Sequence, residues 1–269
     1  LYCLDIWPAS IKVIGINEDS LIYNFITKLS SSIYSRVNRI AVTSAGFIEY
    51  LANLGIDASK CTYMPQYCEE NFYRQQDVGD QSSCINILFA GNIGHTSNLS
   101  IALQAIKDAS QVCNLKLHIV GNGSEKNRLK EFARELRLEQ HVIFHDAVPV
   151  TEIGIFYSLA DLFLVTLLDD DYISLTLPGK VQSYMANGKP IIASAKGETA
   201  RIINEAKCGI SVTPNDYKAL SKAIVEMVKE RSKWKEFGEN AQRYYVKNFS
   251  KEIFMKKLEN ELKLITESM

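Results

Sequence analysis

Three short segments of this 269-residue chain pair glycine with residue types that hold anions. Gly91-Asn92-Ile93-Gly94 follows an apolar run at 85–90 directly. Two glycines let a backbone come close to an anion, and a helix start beyond them adds unpaired N–H groups and the positive end of a helix dipole. A plain tight turn explains the same residues. Gly121-Asn122-Gly123-Ser124 repeats the arrangement after 115–120, and there turn and N-cap chemistry is explanation enough. Leu177-Pro178-Gly179-Lys180 opens a further helix, with Pro178 as punctuation. Lys180 is unusual, because a helix N-terminus disfavours a cation unless an anion lies there too. It is either a phosphate ligand or a solvated surface lysine. Gly197-Glu198 stands at another strand-to-helix corner, where Glu198 either complements the dipole or binds sugar hydroxyls.

Other reactive residue types are less organised. His95, His118, His141 and His145 show no metal-ligand spacing; His95 lies in the first glycine loop, where it can meet a ligand, and His118 lies inside a strand as a satisfied core residue. Asp169-Asp170-Asp171 offers carboxylates for a divalent ion, or simply a solvated acidic loop. The six cysteines are scattered without a CxxC pair, which in a chain this long points to reduced thiols. No metal site is expected.

The elements that must position these corners follow from periodicity. Residues 1–6 read as a buried strand that something ought to precede, ending at Trp7-Pro8. Residues 20–37 read as an amphipathic helix, with Leu21, Ile22, Phe25, Ile26, Leu29, Ile33 and Val37 at helical spacing. A short strand at 39–43 precedes a helix capped by Ser44 and closed by Gly55, and a strand at 61–64 stops at Pro65. The polar stretch 69–83 has the composition of a linker. Strict alternation follows: strands at 85–90, 115–120, 142–145, 161–167, 190–194 and 210–212, with helices between them and three more over 216–266. Strands without polar alternation are buried on both faces, so this part reads as a parallel sheet wrapped by helices, a doubly wound α/β domain. In such a sheet ligands bind beyond the carboxyl ends of the strands, where the glycine corners fall. Trp234, Phe237, Tyr244, Tyr245, Phe254, Leu258 and Leu262 form a core stripe on the last helices.

Composition sets the outer limits. Lys and Arg number 30 against 31 Asp and Glu, a net charge of −1, without the basic excess of a nucleic-acid binder. Apolar residues make up 46% and charged residues 23%, ordinary for a globular protein. No apolar run approaches the roughly 20 residues of a membrane helix.

Taken together, Arg39-Ile-Ala-Val-Thr-Ser44, Met64-Pro-Gln-Tyr67, Leu88-Phe-Ala-Gly-Asn-Ile-Gly94, His118-Ile-Val-Gly-Asn-Gly-Ser124 and Leu177-Pro-Gly-Lys-Val-Gln-Ser-Tyr-Met-Ala-Asn-Gly-Lys-Pro190, with Gly197-Glu198 and Lys207-Cys208-Gly209, resemble the segments of glycosyltransferase family four. The likeness is nearest to bacterial members that build capsule, O-antigen and other surface polysaccharides, and it covers nearly the whole chain. It implies the GT-B fold, two Rossmann-like domains facing a cleft. Residues 1–83 would be part of the acceptor-side domain and linker, 84–247 the donor-binding domain, and 248–269 a helix crossing back to the first domain. It implies retention of anomeric configuration, a nucleoside diphosphate sugar as donor, UDP-linked, and no metal or other cofactor. Gly91, Asn92, Gly94 and Lys180 would hold the diphosphate, with His95, Gly121, Pro178 and Gly179 around them. Ala147 and Val148 would meet the base, and Glu198 the donor sugar.

The chain also departs from that pattern. Two glutamates eight positions apart are replaced by Leu175 and Ser183, leaving Ser183 to meet a ribose hydroxyl. An Arg and a Lys of the first loop are replaced by Asn92 and about Ser97, leaving Lys180 as the main cation. Asp5-Ile-Trp-Pro8 resembles a strand end that faces the cleft, where Asp5 either orients an acceptor hydroxyl or caps a turn. By the same resemblance, the first half of the acceptor-side domain, with the catalytic histidine proposed for the family, would be expected to lie outside these residues. The implied activity is transfer of a sugar to a lipid-linked or saccharide acceptor, in the cytoplasm or at the inner face of the cell membrane, with peripheral membrane association. The rival readings are a non-catalytic nucleotide-sugar-binding module that needs a partner chain for the missing half-domain, and a sugar-nucleotide epimerase.

Overall fold

The computed structural model describes residues 1–68 and 84–267. The expected linker over 69–83 lies outside the described residues. Two parallel sheets organise the rest. The first has three strands, β1 (Tyr2–Cys3), β2 (Ile40–Val42) and β3 (Cys61–Tyr63), in that order, with β1 at one edge. Helix α1 (Leu21–Arg36) joins β1 to β2, and α2 (Gly46–Asn53) joins β2 towards β3.

Helix α1 starts where Ser20 caps it, its hydroxyl accepting from the Tyr23 amide. An amphipathic pattern ordinarily marks the face turned to a core. Here the apolar face looks outward: Leu21 is 87% exposed and Phe25 67%, with Ile22, Leu29 and Ile33 also exposed. The buried side carries Tyr23, Ser30 and Tyr34 instead. Their polar tips find partners there, as where the Trp7 amide donates to the Tyr34 hydroxyl at 3.1 Å. Ser44 corrects its expected role. The residue before α2 is Ala45, without a side-chain cap, and the Ser44 hydroxyl donates across the molecule to the Leu175 carbonyl.

The second sheet contains β4 (Ile85–Ala90), β5 (Leu115–Val120), β6 (Val142–His145), β7 (Leu162–Thr166), β8 (Ile191–Ser194) and β9 (Gly209–Val212). Their order is β6-β5-β4-β7-β8-β9, all parallel. The direction of winding therefore reverses between β4 and β7, which opens a crevice at their carboxyl ends. Helices α3 (Leu99–Ala109), α4 (Lys126–Glu135) and α5 (Ile153–Leu159) follow β4, β5 and β6. A short turn α6 (Asp171–Ser174), absent from the periodicity, precedes α7 (Gly179–Ala186), and α8 (Gly197–Ala206) and α9 (Tyr217–Lys229) follow. The strands bury both faces, with Leu162, Phe163, Leu164 and Val165 of β7 all inaccessible.

Helices α10 (Trp234–Asn248) and α11 (Lys251–Glu267) end the described chain. Helix α11 packs on the first sheet: both Glu261 oxygens accept from Arg39, at 2.6 and 3.1 Å, and Lys257 Nζ donates to the Tyr63 carbonyl at 2.8 Å. The stripe of the last helices is therefore split. Tyr245 is buried, whereas α11 has no fully buried residue and Leu262 stays exposed. Among the described residues no disulfide joins any of the six cysteines.

Candidate functional site

Two adjoining cavities open at the carboxyl ends of the second sheet. The first, about 540 Å³, is lined by the corners after β4, β5 and β6 together with Ile153, Tyr157, Lys180 and Ser183. The second, about 450 Å³, lies between the two sheets and draws Asp5, Ser10, Thr43 and Gln66 from one side and Thr96, Tyr172, Thr176 and Gly179 from the other. Asn92 and Lys180 line both.

Lys180 is placed by the helix that carries it. Tyr184 lies one turn further along α7, on the same face. It is fully buried, stacks on Phe163 with 4.2 Å between ring centroids, and its hydroxyl accepts from the Ala90 amide at 2.8 Å. That anchor brings Lys180 under the Gly91 corner. A Cβ on Gly91 would sit 3.1 Å from Lys180 Nζ, so the glycine leaves room for the ammonium. Nζ stands 3.7 Å from the Phe89 ring centre. Among the described residues no carboxylate pairs with it, and burial pushes its pKa down to about 7. A partly buried ammonium without a counter-ion, at a helix N-terminus between two cavities, is suited to an anion.

The glycines of the second corner have a different reason from the one their type suggests. A Cβ on Gly121 would lie 1.9 Å from the Gly91 carbonyl oxygen, and one on Gly123 2.4 Å from that of Ile93. Both have positive φ, +148° and +154°. They let the corner after β5 pack directly on the corner after β4, and Ile93 N donates to Asn122 O at 2.8 Å across that seam. The first corner does not run straight into its helix: a short turn, His95–Ser97, and Asn98 in the left-handed region come before α3.

Of the expected site residues, Gly91, Asn92, Gly121, Val148, Lys180 and Ser183 line the first cavity, and Asp5, Asn92, Pro178, Gly179 and Lys180 the second. The Asp5 carboxylate accepts from the Tyr172 hydroxyl at 3.3 Å. Gly94, His95 and Glu198 line neither cavity. His95 is exposed on its turn. Glu198 is buried and gives both oxygens to Arg201 at 2.8 Å, an i,i+3 pair on α8. Leu175 offers its carbonyl to Ser44, and the Ser97 hydroxyl donates to the Asn92 carbonyl at 2.7 Å.

The acidic run is spoken for: Asp170 caps α6, and Lys196 bridges Asp169 and Asp171. Among the described residues no group of three His, Cys, Asp or Glu is arranged to hold a metal. His118 is satisfied within the sheet. Its Nε2 lies 3.2 Å from Asn86 Oδ1 and its Nδ1 3.0 Å from His145 Nε2; burial and the neighbouring imidazole push its pKa down to about 4.

Sequence reasoning missed three contributors. Tyr157, whose hydroxyl burial raises to a pKa of about 12, lies against Ser183 in the first cavity. Tyr184 was findable as the residue four places after Lys180. Lys126, in the first turn of α4, carries no sequence signal that separates it from a surface lysine.

Comparison with known proteins is consistent with this geometry. The family model described as "Glycosyl transferases group 1" matches residues 76–244. A probable glycosyltransferase, WbjE of Pseudomonas aeruginosa, is 26% identical over 239 residues, covering 83% of this chain and 58% of that protein. The alpha-monoglucosyldiacylglycerol synthase of Streptococcus pneumoniae is 27% identical over 157 residues, 58% of this chain and 34% of its own length. The chain thus spans between about a third and three fifths of these two curated relatives. Among solved structures, HepE of Anabaena in complex with UDP and glucose superposes with a TM-score of 0.81 at 16% identity, over 97% of this chain and 70% of that one. WaaG, a glycosyltransferase involved in lipopolysaccharide biosynthesis, gives a TM-score of 0.73 at 13% identity, over 95% and 72%. The α/β fold is of the GT-B type that such enzymes share. Among the described residues, no helix is long and apolar enough to cross a membrane.

Proposed function

The chain belongs to the family of group 1 glycosyl transferases, and from that premise we propose that it binds a nucleoside diphosphate sugar, UDP-linked, across its two cavities, as a member of family four. The observation that carries this reading is Lys180, an ammonium at the junction of the cavities without a counter-ion among the described residues. The nucleoside lies in the first cavity, whose far end is apolar with Val148, Val150 and Ile153. The diphosphate lies at Lys180, Gly91 and Asn92. Ser183 and the Tyr157 hydroxyl beside it offer neutral donors to the ribose. The second cavity, rich in hydroxyl and amide groups, takes the donor sugar and the acceptor hydroxyl, with Asp5 facing it.

In the reaction, negative charge grows on the diphosphate as the glycosidic bond breaks. Lys180 stabilises that charge where the site is shielded from water. No metal is expected for this step. The transfer is retaining, to a lipid-linked or other saccharide acceptor in surface-polysaccharide synthesis at the cytoplasmic face of the membrane. Calorimetric titration with UDP tests the reading: wild-type protein binds, and Lys180→Met binds more weakly. Equal affinity for both removes Lys180 from the site.

A second reading is favoured by the outward apolar face of α1 and by the edge position of β1. In it the chain is a nucleotide-sugar-binding module, completed by a polypeptide layer that adds a strand to β1 and covers α1. Turnover of UDP-sugar by this chain alone, without any partner, rules that reading out.

A further inference from the structure

The first cavity has two seams, and they are closed by different means. The corners after β4 and β5 are joined by backbone hydrogen bonds: Gly91 N to Val120 O at 2.9 Å, Ile93 N to Asn122 O at 2.8 Å and Glu125 N to Ile93 O at 3.0 Å. The corners after β5 and β6 face each other beyond the last paired residues, Val120 and His145. There, among the described residues, one side chain bridges them by hydrogen bonds. Lys126 Nζ donates to Gly121 O, to His145 O and to Asp146 Oδ1, each at 2.8 Å. Its side chain is only 7% exposed, while that of Asp146 is 95% exposed. All three donor positions of the ammonium are used, two on carbonyls and one on a carboxylate.

These contacts lie behind the cavity wall. Gly121 and Asn122 form one side of the slot, and Ala147, Val148 and Val150 the other. Lys126 itself lines neither cavity. Below it, the Asn86–His118–His145 chain fixes the strand ends on which both corners stand. Lys180 approaches from α7, against Phe89 and Gly91.

We propose that Lys126 is a positioning residue that sets the width of the nucleobase slot, independently of the Lys180 end that holds the diphosphate. This rests on the reading of the first cavity as the nucleoside site. A wall one ångström out of place leaves a base without its packing and backbone partners, but leaves a phosphate at Lys180 untouched.

The test uses two probes, UDP and inorganic pyrophosphate, titrated calorimetrically into the wild type, Lys126→Met, Asp146→Ala and Lys180→Met. Lys126→Met is expected to weaken UDP about tenfold or more while pyrophosphate stays within about twofold, the scale of losing charge-assisted hydrogen bonds at one seam. Asp146→Ala removes one of the three acceptors from an exposed position and is expected to weaken UDP about threefold, again without touching pyrophosphate. Lys180→Met weakens both probes. A merely structural role for Lys126 would lower both probes together with the folded fraction. UDP affinity unchanged in Lys126→Met, or both probes lost in parallel, overturns the proposal. If Lys126→Met does not fold, Asp146→Ala decides: a selective loss of UDP supports the brace, and an unchanged UDP affinity overturns it. Wild-type protein that holds pyrophosphate but not UDP overturns instead the nucleoside reading on which the brace depends.

Discussion

Where α3 and α9 cross, Leu99, Leu103, Leu220, Ile224 and Met227 are all buried, whereas on α1 the residues Leu21, Phe25 and Leu29, just as regularly spaced, look outward. The difference separates two kinds of region. Around the six-stranded sheet, apolar stripes and buried surface coincide, and the first cavity is lined wholly by residues of that region. Beside the three-stranded sheet α2 buries Phe47 and Leu51, but on α1 stripe and buried surface do not coincide, and of the two cavities the second alone draws on this region. Periodicity states what a helix needs to cover, not what covers it. Nucleotide binding should therefore belong to the six-stranded region that lines the first cavity, and effects on it should be sharply unequal between the two sheets.

The largest expected effect is on the closed core. Leu164→Ala, in the fully buried central strand β7, is expected to cost about 2–5 kcal/mol of stability through lost burial and a residual cavity, read by urea denaturation. A loss well under that range means that the second sheet is less closely packed than its burial implies. Next comes the site. Lys180→Met is expected to weaken UDP by about 1.5–3 kcal/mol, while Asp5→Asn, on the first-sheet side of the second cavity, leaves UDP within about twofold. A comparable loss from Asp5→Asn would break the division between the two regions.

How far these regions were legible in the residues follows the same line. Alternating apolar runs and glycine corners lay out the six strands to within a residue and the helices after them to within about three, because each element there packs on its sequence neighbours. Ser44 has the type and place of a helix cap but does not cap α2, since its partner, Leu175, is 131 positions away. Glu198 reads either as a complement to the helix dipole or as a sugar ligand, because carboxylates at helix starts are ambiguous; the fold adds Arg201, which pairs with it. Gly121 and Gly123 read from the residues as turn positions, and the fold adds a reason that spacing does not carry, since the close neighbour is another loop. The orientation of α1 depends on tertiary partners of Tyr23 and Tyr34, which spacing along one helix does not encode.

A pH series sharpens the claim about Lys180 by a smaller step. Burial lowers its pKa to about 7 from the ordinary 10.5, and a bound diphosphate raises it again. Binding then takes up a proton above neutrality. UDP affinity is expected to be highest near pH 7 and to fall as pH rises towards 9, by up to about tenfold per unit. Proton uptake appears as a dependence of calorimetric heat on buffer ionisation at pH 8, and Lys180→Arg abolishes it. A flat affinity between pH 7 and 9 rejects the assignment.

The smallest effects test α1 itself and reverse the usual ranking of polar and apolar substitutions. Ser20→Ala removes the cap on the Tyr23 amide and is expected to cost about 1 kcal/mol, although the residue is small and at the surface. Phe25→Ser removes a whole ring and is expected to cost less than about 0.5 kcal/mol, because the ring is two-thirds exposed and the two residues have similar helix propensities. Denaturation midpoints of the two variants, measured at low protein concentration, give the order directly. If Phe25→Ser is the costlier, the α1 face is covered in solution by a surface that the described residues do not supply, and dependence of the midpoint on protein concentration then tells a second copy of the chain from an internal partner.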